Sequence, residues 1–274
     1  MTSAAAIREA IVTDEIGIAT AVLGPYRLKS IFQPIFSRSG GTLRLTGVQA
    51  TAATLGNGRP IGSGADPAPA ASMDAAGMAE PLSLALHLRN YANIGVAGLD
   101  LHVNCVSCPG VDLLAVLTTV PMAGWDDIVL GAEKLVCEIA PAESREHAFW
   151  QAIDDLRWKG VRLAGTFGAE RKFPAEVVPD IVRIDGGWLG KIRNEATAQL
   201  LVPVISILRR RGAKILIDGI DTAVELQAAV EMDADLYQGS FLARSIPAGG
   251  VLDEAPLSLA GLLAGGSNVV ALRR

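Results

Sequence analysis

Eight short apolar runs, with room for a helix in most of the gaps between them, constrain the fold of this chain more than any other feature. They fall at residues 31–36, 43–50, 99–105, 135–139, 161–164, 181–184, 214–217 and 236–238. Runs of this length, rich in Val, Ile and Leu, suit buried strands and are too short for helices. The stretches 144–158 and 196–211 have helical periodicity and are stopped by Gly160 and Gly212. Thr222 and Glu225 spell a capping box ahead of a helix carrying Val224, Leu226 and Val230. Strands alternating with helices predict a mainly parallel α/β sheet, and eight of them predict a closed (β/α)8 barrel. Such a barrel takes about 250 residues, which this chain of 274 supplies as one domain over 1–265. Half the residues are hydrophobic and 19% are charged, so a continuous core is expected and disorder is not.

The remaining segments are less regular. Residues 4–23 place Ile7, Ala10, Ile11, Ile18 and Val22 at mixed helical spacing before a break at Gly24-Pro25, which predicts a packing helix within 1–24. Residues 53–80 are rich in Ala, Gly, Pro and Ser, and Asp66-Pro67-Ala68-Pro69 is incompatible with a regular helix or inner strand. An irregular excursion is predicted there, followed by a helix over 81–93, and a loose tail over 266–274.

Charge and cysteine usage exclude several function classes. The net charge is −5 and Arg209-Arg210-Arg211 is the one basic cluster, placed near a helix end where cations complement the dipole. A nucleic-acid partner is therefore not expected. No apolar stretch reaches membrane-spanning length and no secretory signal opens the chain, so a cytoplasmic protein without membrane insertion is expected. Three cysteines fit a reducing compartment. Cys105-Val106-Ser107-Cys108 could be redox-active or half of a zinc site, but with no second pair it reads as buried structural thiols. His102, two residues before Asn104 on one strand face, reads as a core histidine inside the barrel. Trp150 and Trp158 read as helix packing, whereas Trp188 follows Gly186-Gly187 at a strand end, where packing and an exposed contact are alternatives.

Six groups of residues, in order, carry a resemblance to a known family. They are Phe32-Gln33-Pro34-Ile35, Gly47-Val48-Gln49-Ala50-Thr51, Val103-Asn104, Leu135-Val136-Cys137-Glu138-Ile139, Asp180-Ile181-Val182-Arg183-Ile184-Asp185, and Ile217-Asp218-Gly219-Ile220-Asp221-Thr222 with Gln238-Gly239-Ser240-Phe241. Over nearly the whole chain these resemble the EAL domain family, whose active members hydrolyse cyclic di-GMP. The resemblance implies an EAL-type barrel with one strand near the start reversed. It also implies a two-metal site at the strand ends, where several carboxylates hold Mg²⁺ or Mn²⁺ and activate water.

At those positions the chain departs from the family. Gln49 stands where the resemblance implies the first glutamate, Gly165 and Thr166 where it implies two adjacent aspartates, and Arg183 where it implies a lysine. Asp218 replaces a glutamate, and Ala53 replaces an arginine that would contact phosphate. After Phe167-Gly168 the loop continues Ala169-Glu170-Arg171-Lys172-Phe173, unlike the family's. Of the implied site, Gln33, Gln49, Asn104, Glu138, Arg183, Asp185, Asp218 and Gln238 form a vestigial or nucleotide-binding set, with no catalytic or metal-holding residue. Two clear carboxylates, Glu138 and Asp218, face the four positive charges of two divalent ions. The expected protein is a catalytically inactive EAL-like regulator that binds another bacterial protein and needs no cofactor. The alternatives are a non-hydrolysing cyclic di-GMP receptor and, third, an active phosphodiesterase using Mg²⁺ or Mn²⁺. A homodimer through barrel helices is a further expectation. Without an attached sensor or cyclase domain, such a chain would act through its own surface.

Overall fold

The computed structural model describes residues 4–56, 59–60, 79–105, 130–139, 147–167, 178–186 and 196–265. Helix α1 (Ala4–Glu9) leads into a hairpin of β1 (Ile11–Thr13) and β2 (Ala19–Leu23), and then into two long strands, β3 (Tyr26–Ser39) and β4 (Thr42–Gly56). Strand β5 (Arg59–Pro60) and helix α2 (Ala79–Asn90) follow. Five strands of five residues each come next: β6 (Asp100–Asn104), β7 (Leu135–Ile139), β8 (Arg162–Thr166), β9 (Ile181–Asp185) and β10 (Lys214–Asp218). Helices α3 (His147–Trp158), α4 (Ala196–Arg210) and α5 (Ala223–Glu231) lie among them. The chain closes with β11 (Leu236–Tyr237), β12 (Ile246–Pro247), β13 (Leu257–Ser258) and α6 (Leu259–Leu263).

The order β3-β11-β10-β9-β8-β7-β6-β4 returns to β3, which makes a closed barrel of eight strands. All pairs from β4 through β6 to β11 are parallel, whereas β3 runs antiparallel to both neighbours, β4 and β11. The reversal follows from a tight connection: Gly40, at φ +60°, turns β3 directly into β4 without a crossover helix. Both strands continue far past the barrel, with Tyr26 still paired to Gly56.

Strand alternation sorts the side chains into shells. Ile35, Val136, Ala164, Ile181, Leu216 and Leu236 form a buried cluster inside the barrel. The intervening residues, such as Leu101, Val103, Cys137 and Leu163, pack outward against α2, α3 and the N-terminal hairpin. Val182, Ile184, Ile215 and Ile217 pack with Ile205 of α4 and Leu226 of α5. Gly160 and Gly212 take φ of +95° and +91° just after their helices, and the Thr222–Glu225 capping box is complete. Among the described residues no helix is long and apolar enough to cross a membrane.

Three expectations change. The segment 1–24 is not one helix: after Glu9 it becomes β1 and β2, turned at Asp14, whose carboxylate accepts the Ile16 and Ile18 amides. Ile, Val and Thr dominate these strands, and buried Ala19 and Ala21 alternate with half-buried Thr20 and Val22, which suits a sheet face. The predicted excursion at 53–80 begins as ordered strand, since β4 runs to Gly56 and β5 pairs with it; residues 61–78 lie outside the described residues, as does the tail 266–274. Trp158 is 92% exposed and does not pack on the barrel, while Trp150 does pack against the core. Cys105 and Cys137 are buried free thiols; Cys108 and Trp188 lie outside the described residues.

Candidate functional site

The interior positions above the apolar layer come from every wall of the barrel. Two residues beyond Val136, Ala164, Ile181 and Leu216 stand Glu138, Thr166, Arg183 and Asp218, while Gln33, Gln49 and Gln238 come from β3, β4 and the end of β11. Register fixes their neighbours: Gln33 pairs with Gln49, Asn104 with Glu138, Thr166 with Arg183, and Asp185 with Asp218.

Arg183 is the hub of this upper mouth. Its Nη1 donates to Glu138 Oε2 at 2.6 Å, and its Nε and Nη2 reach Asp218 Oδ2 at 3.1 and 2.9 Å. Nη2 also donates to Gln238 Oε1 at 3.0 Å and to Gln49 Oε1. The fully buried Gln238 donates through Nε2 to Gln33 Oε1 at 3.1 Å and to Gln49 Oε1 at 2.8 Å. Thr166 Oγ1 donates to the other Glu138 oxygen at 2.8 Å. A planar, rigid donor set makes Arg suited to bridging two carboxylates, which a lysine could not do with the same spread of contacts. Six of the eight residues singled out from sequence therefore share one network. Asn104 and Asp185, both exposed, sit at the ends of β6 and β9 beside it.

Sequence reasoning missed Thr166 as a participant, treating it only as a lost aspartate, although its place two residues past Ala164 marks it as inward-facing. Gly239 matters as well: a Cβ there would run into the Ile220 backbone, so only glycine lets Gln238 turn into the mouth at this point. Among the described residues, no group of three or more His, Cys, Asp or Glu side chains converges in a way that could hold a metal ion. Below the mouth, His102 is buried with its pKa lowered to about 3, by burial first and then by the charges of Arg183 and Arg162. It is a neutral core histidine set between the two ends of the barrel.

Comparison with known proteins accounts for this architecture. No protein of curated function matches the chain by sequence. A standalone EAL protein from Vibrio cholerae, in its cyclic di-GMP-bound form, is 15% identical with a TM-score of 0.65, over 80% of this chain and 92% of that one. Klebsiella pneumoniae BlrP1 with calcium and cyclic di-GMP is 18% identical with a TM-score of 0.67, over 85% of this chain and 59% of that one. The same protein with FMN and cyclic di-GMP but no metal ions gives 18% and 0.62, over 85% and 56%. The EAL domain family model matches residues 121–245. Residues 121–245 thus match the EAL domain family, and the closed barrel around them has the same fold as these EAL structures.

Proposed function

We propose that this EAL domain does not hydrolyse cyclic di-GMP and acts as a bacterial signalling regulator through contacts with another protein. One observation carries the reading: the guanidinium of Arg183 is hydrogen-bonded to both Glu138 and Asp218, two of the carboxylates at the upper mouth. A two-metal phosphodiesterase needs anionic oxygens, one of them shared, to replace the water shells of two divalent ions. Here Gln49 is neutral, Gly165 has no side chain, and Thr166 spends its hydroxyl on Glu138. The donor set does not fit a Mg²⁺ or Mn²⁺ pair, and no hydrolytic step is routed through one. Gln33, Gln49, Glu138, Asp218 and Gln238 then serve to hold Arg183, with Asn104 and Asp185 at the rim.

A non-hydrolysing cyclic di-GMP receptor is the second reading. It is favoured by BlrP1, which is described with the nucleotide and no metal ions. Calorimetric titration with cyclic di-GMP, with and without Mg²⁺, separates the two: silence at high concentration fits the interaction module, and micromolar binding fits the receptor. Incubation with Mn²⁺ should release no linear dinucleotide. Turnover that vanishes in Glu138→Ala would overturn both readings.

A further inference from the structure

We propose that the opposite, lower mouth of the barrel binds the phosphate groups of a small diphosphate-bearing molecule. A cavity of about 520 Å³ opens there, lined by Arg44, Lys134, Arg162 and Lys214 together with Asp100 and Glu254. Four cations against two carboxylates concentrate positive charge in a chain whose net charge is −5. Strand register turns three of these cations toward the barrel axis at its open end, where Arg44 and Lys214 are exposed. Lys134, Arg162 and Lys214 stand two residues before Val136, Ala164 and Leu216 of the interior cluster, and Asp100 stands two before the buried His102, the register partner of Val136.

The charges are unevenly used. Asp100 holds Arg162 at 2.7 Å and Lys134 at 3.7 Å, which fixes both side chains along one wall. Arg44 and Lys214 have no carboxylate within ion-pair distance among the described residues. Cations gathered in a cavity repel one another, and a multivalent anion relieves that repulsion. Guanidinium forks donate paired hydrogen bonds to phosphate oxygens, and a lysine adds a mobile point charge. The volume falls within the usual range for small-molecule sites, on the order of 300–1,000 Å³. The apolar layer of the barrel separates this cavity from Arg183, so the proposal stands apart from the fate of the upper mouth.

Calorimetric titration of the whole chain with inorganic pyrophosphate tests it. Saturable binding is expected, weakened at least roughly tenfold by Lys214→Glu and by Arg44→Glu, and weakened less by the milder Lys214→Gln, which keeps the test open should a reversal unfold the chain. Arg8→Glu, on the exposed face of α1, removes the same charge away from the cavity and should leave binding unchanged. ADP in place of pyrophosphate assigns the source: tighter binding points to an organic carrier, equal or weaker binding to the inorganic ion. No saturable binding of either probe, or an Arg8→Glu effect as large as that of Lys214→Glu, would overturn the proposal.

Discussion

The two mouths of the barrel are both lined by inward-facing charge, yet they resolve it in opposite ways. At the upper mouth one guanidinium meets two carboxylates and two amide oxygens, and its charge is used up within the fold. At the lower mouth four cations share two carboxylates, and two of the four have no ionic partner among the described residues. Polar content alone does not make a site. What distinguishes the ends is whether the donors are already satisfied by the protein.

The largest expected effect comes from two buried histidines, of which His102 lies between the mouths. His102 and His87 are buried, with pKa values lowered to about 3 and about 4, against about 6.5 for a free imidazole. Below pH 6.5 the unfolded chain therefore binds protons that the folded chain refuses, so stability falls as pH drops and levels off only near those lower values. The loss should be on the order of 3 kcal/mol for each histidine, read from urea melts between pH 7.5 and 4. His102→Gln should flatten that limb while His87, bonded to Ser30 outside the barrel, keeps its share.

Breaking the upper network should come next. Arg183→Met leaves Glu138 and Asp218 facing each other without a cation. With Arg183 and Glu138 only 11% and 13% exposed, but Asp218 33%, the cost should be about 2–3 kcal/mol in denaturant melts. Thr166→Val removes one bond to Glu138 and should cost about 1 kcal/mol. At the lower mouth Asp100→Asn should cost less than about 1 kcal/mol, since its ion pairs are partly exposed, while tightening pyrophosphate binding. If Asp100→Asn proves as damaging as Arg183→Met, the contrast between the mouths fails.

Much of this could be read from the chain beforehand, and the exceptions share a cause. The eight barrel strands follow from local runs such as Leu135–Ile139, because burial on both faces leaves a continuous apolar signature. The hairpin of β1 and β2 escaped because its alternating buried residues, Ala19 and Ala21, are small and weakly hydrophobic, while Ile7, Ile11 and Ile18 mimic helical spacing. That Arg183 would neutralise carboxylates at this mouth was legible from the residues, but its reach to Gln49 across 134 positions of sequence was not, since that contact exists only once the barrel closes. Asp100, Lys134, Arg162 and Lys214 went unnoticed as a group, since each looks like a solvated strand start. Their common two-residue offset from interior positions was the available signal.

The length of β3 and β4 has one more outcome. Beyond Gln49 the ribbon continues to Gly56, roughly 20 Å of paired backbone past the rim, flanked there by β2 and β5. Gln33 and Gln49 are cross-strand partners on that same ribbon and are tied through Gln238 to Arg183. Hydrogen-bonded strands hardly stretch along their own axis. A tug applied at the far end, where β2 and β5 are paired to the ribbon, is therefore delivered with little slack to the glutamines, linking a remote edge to the heart of the barrel.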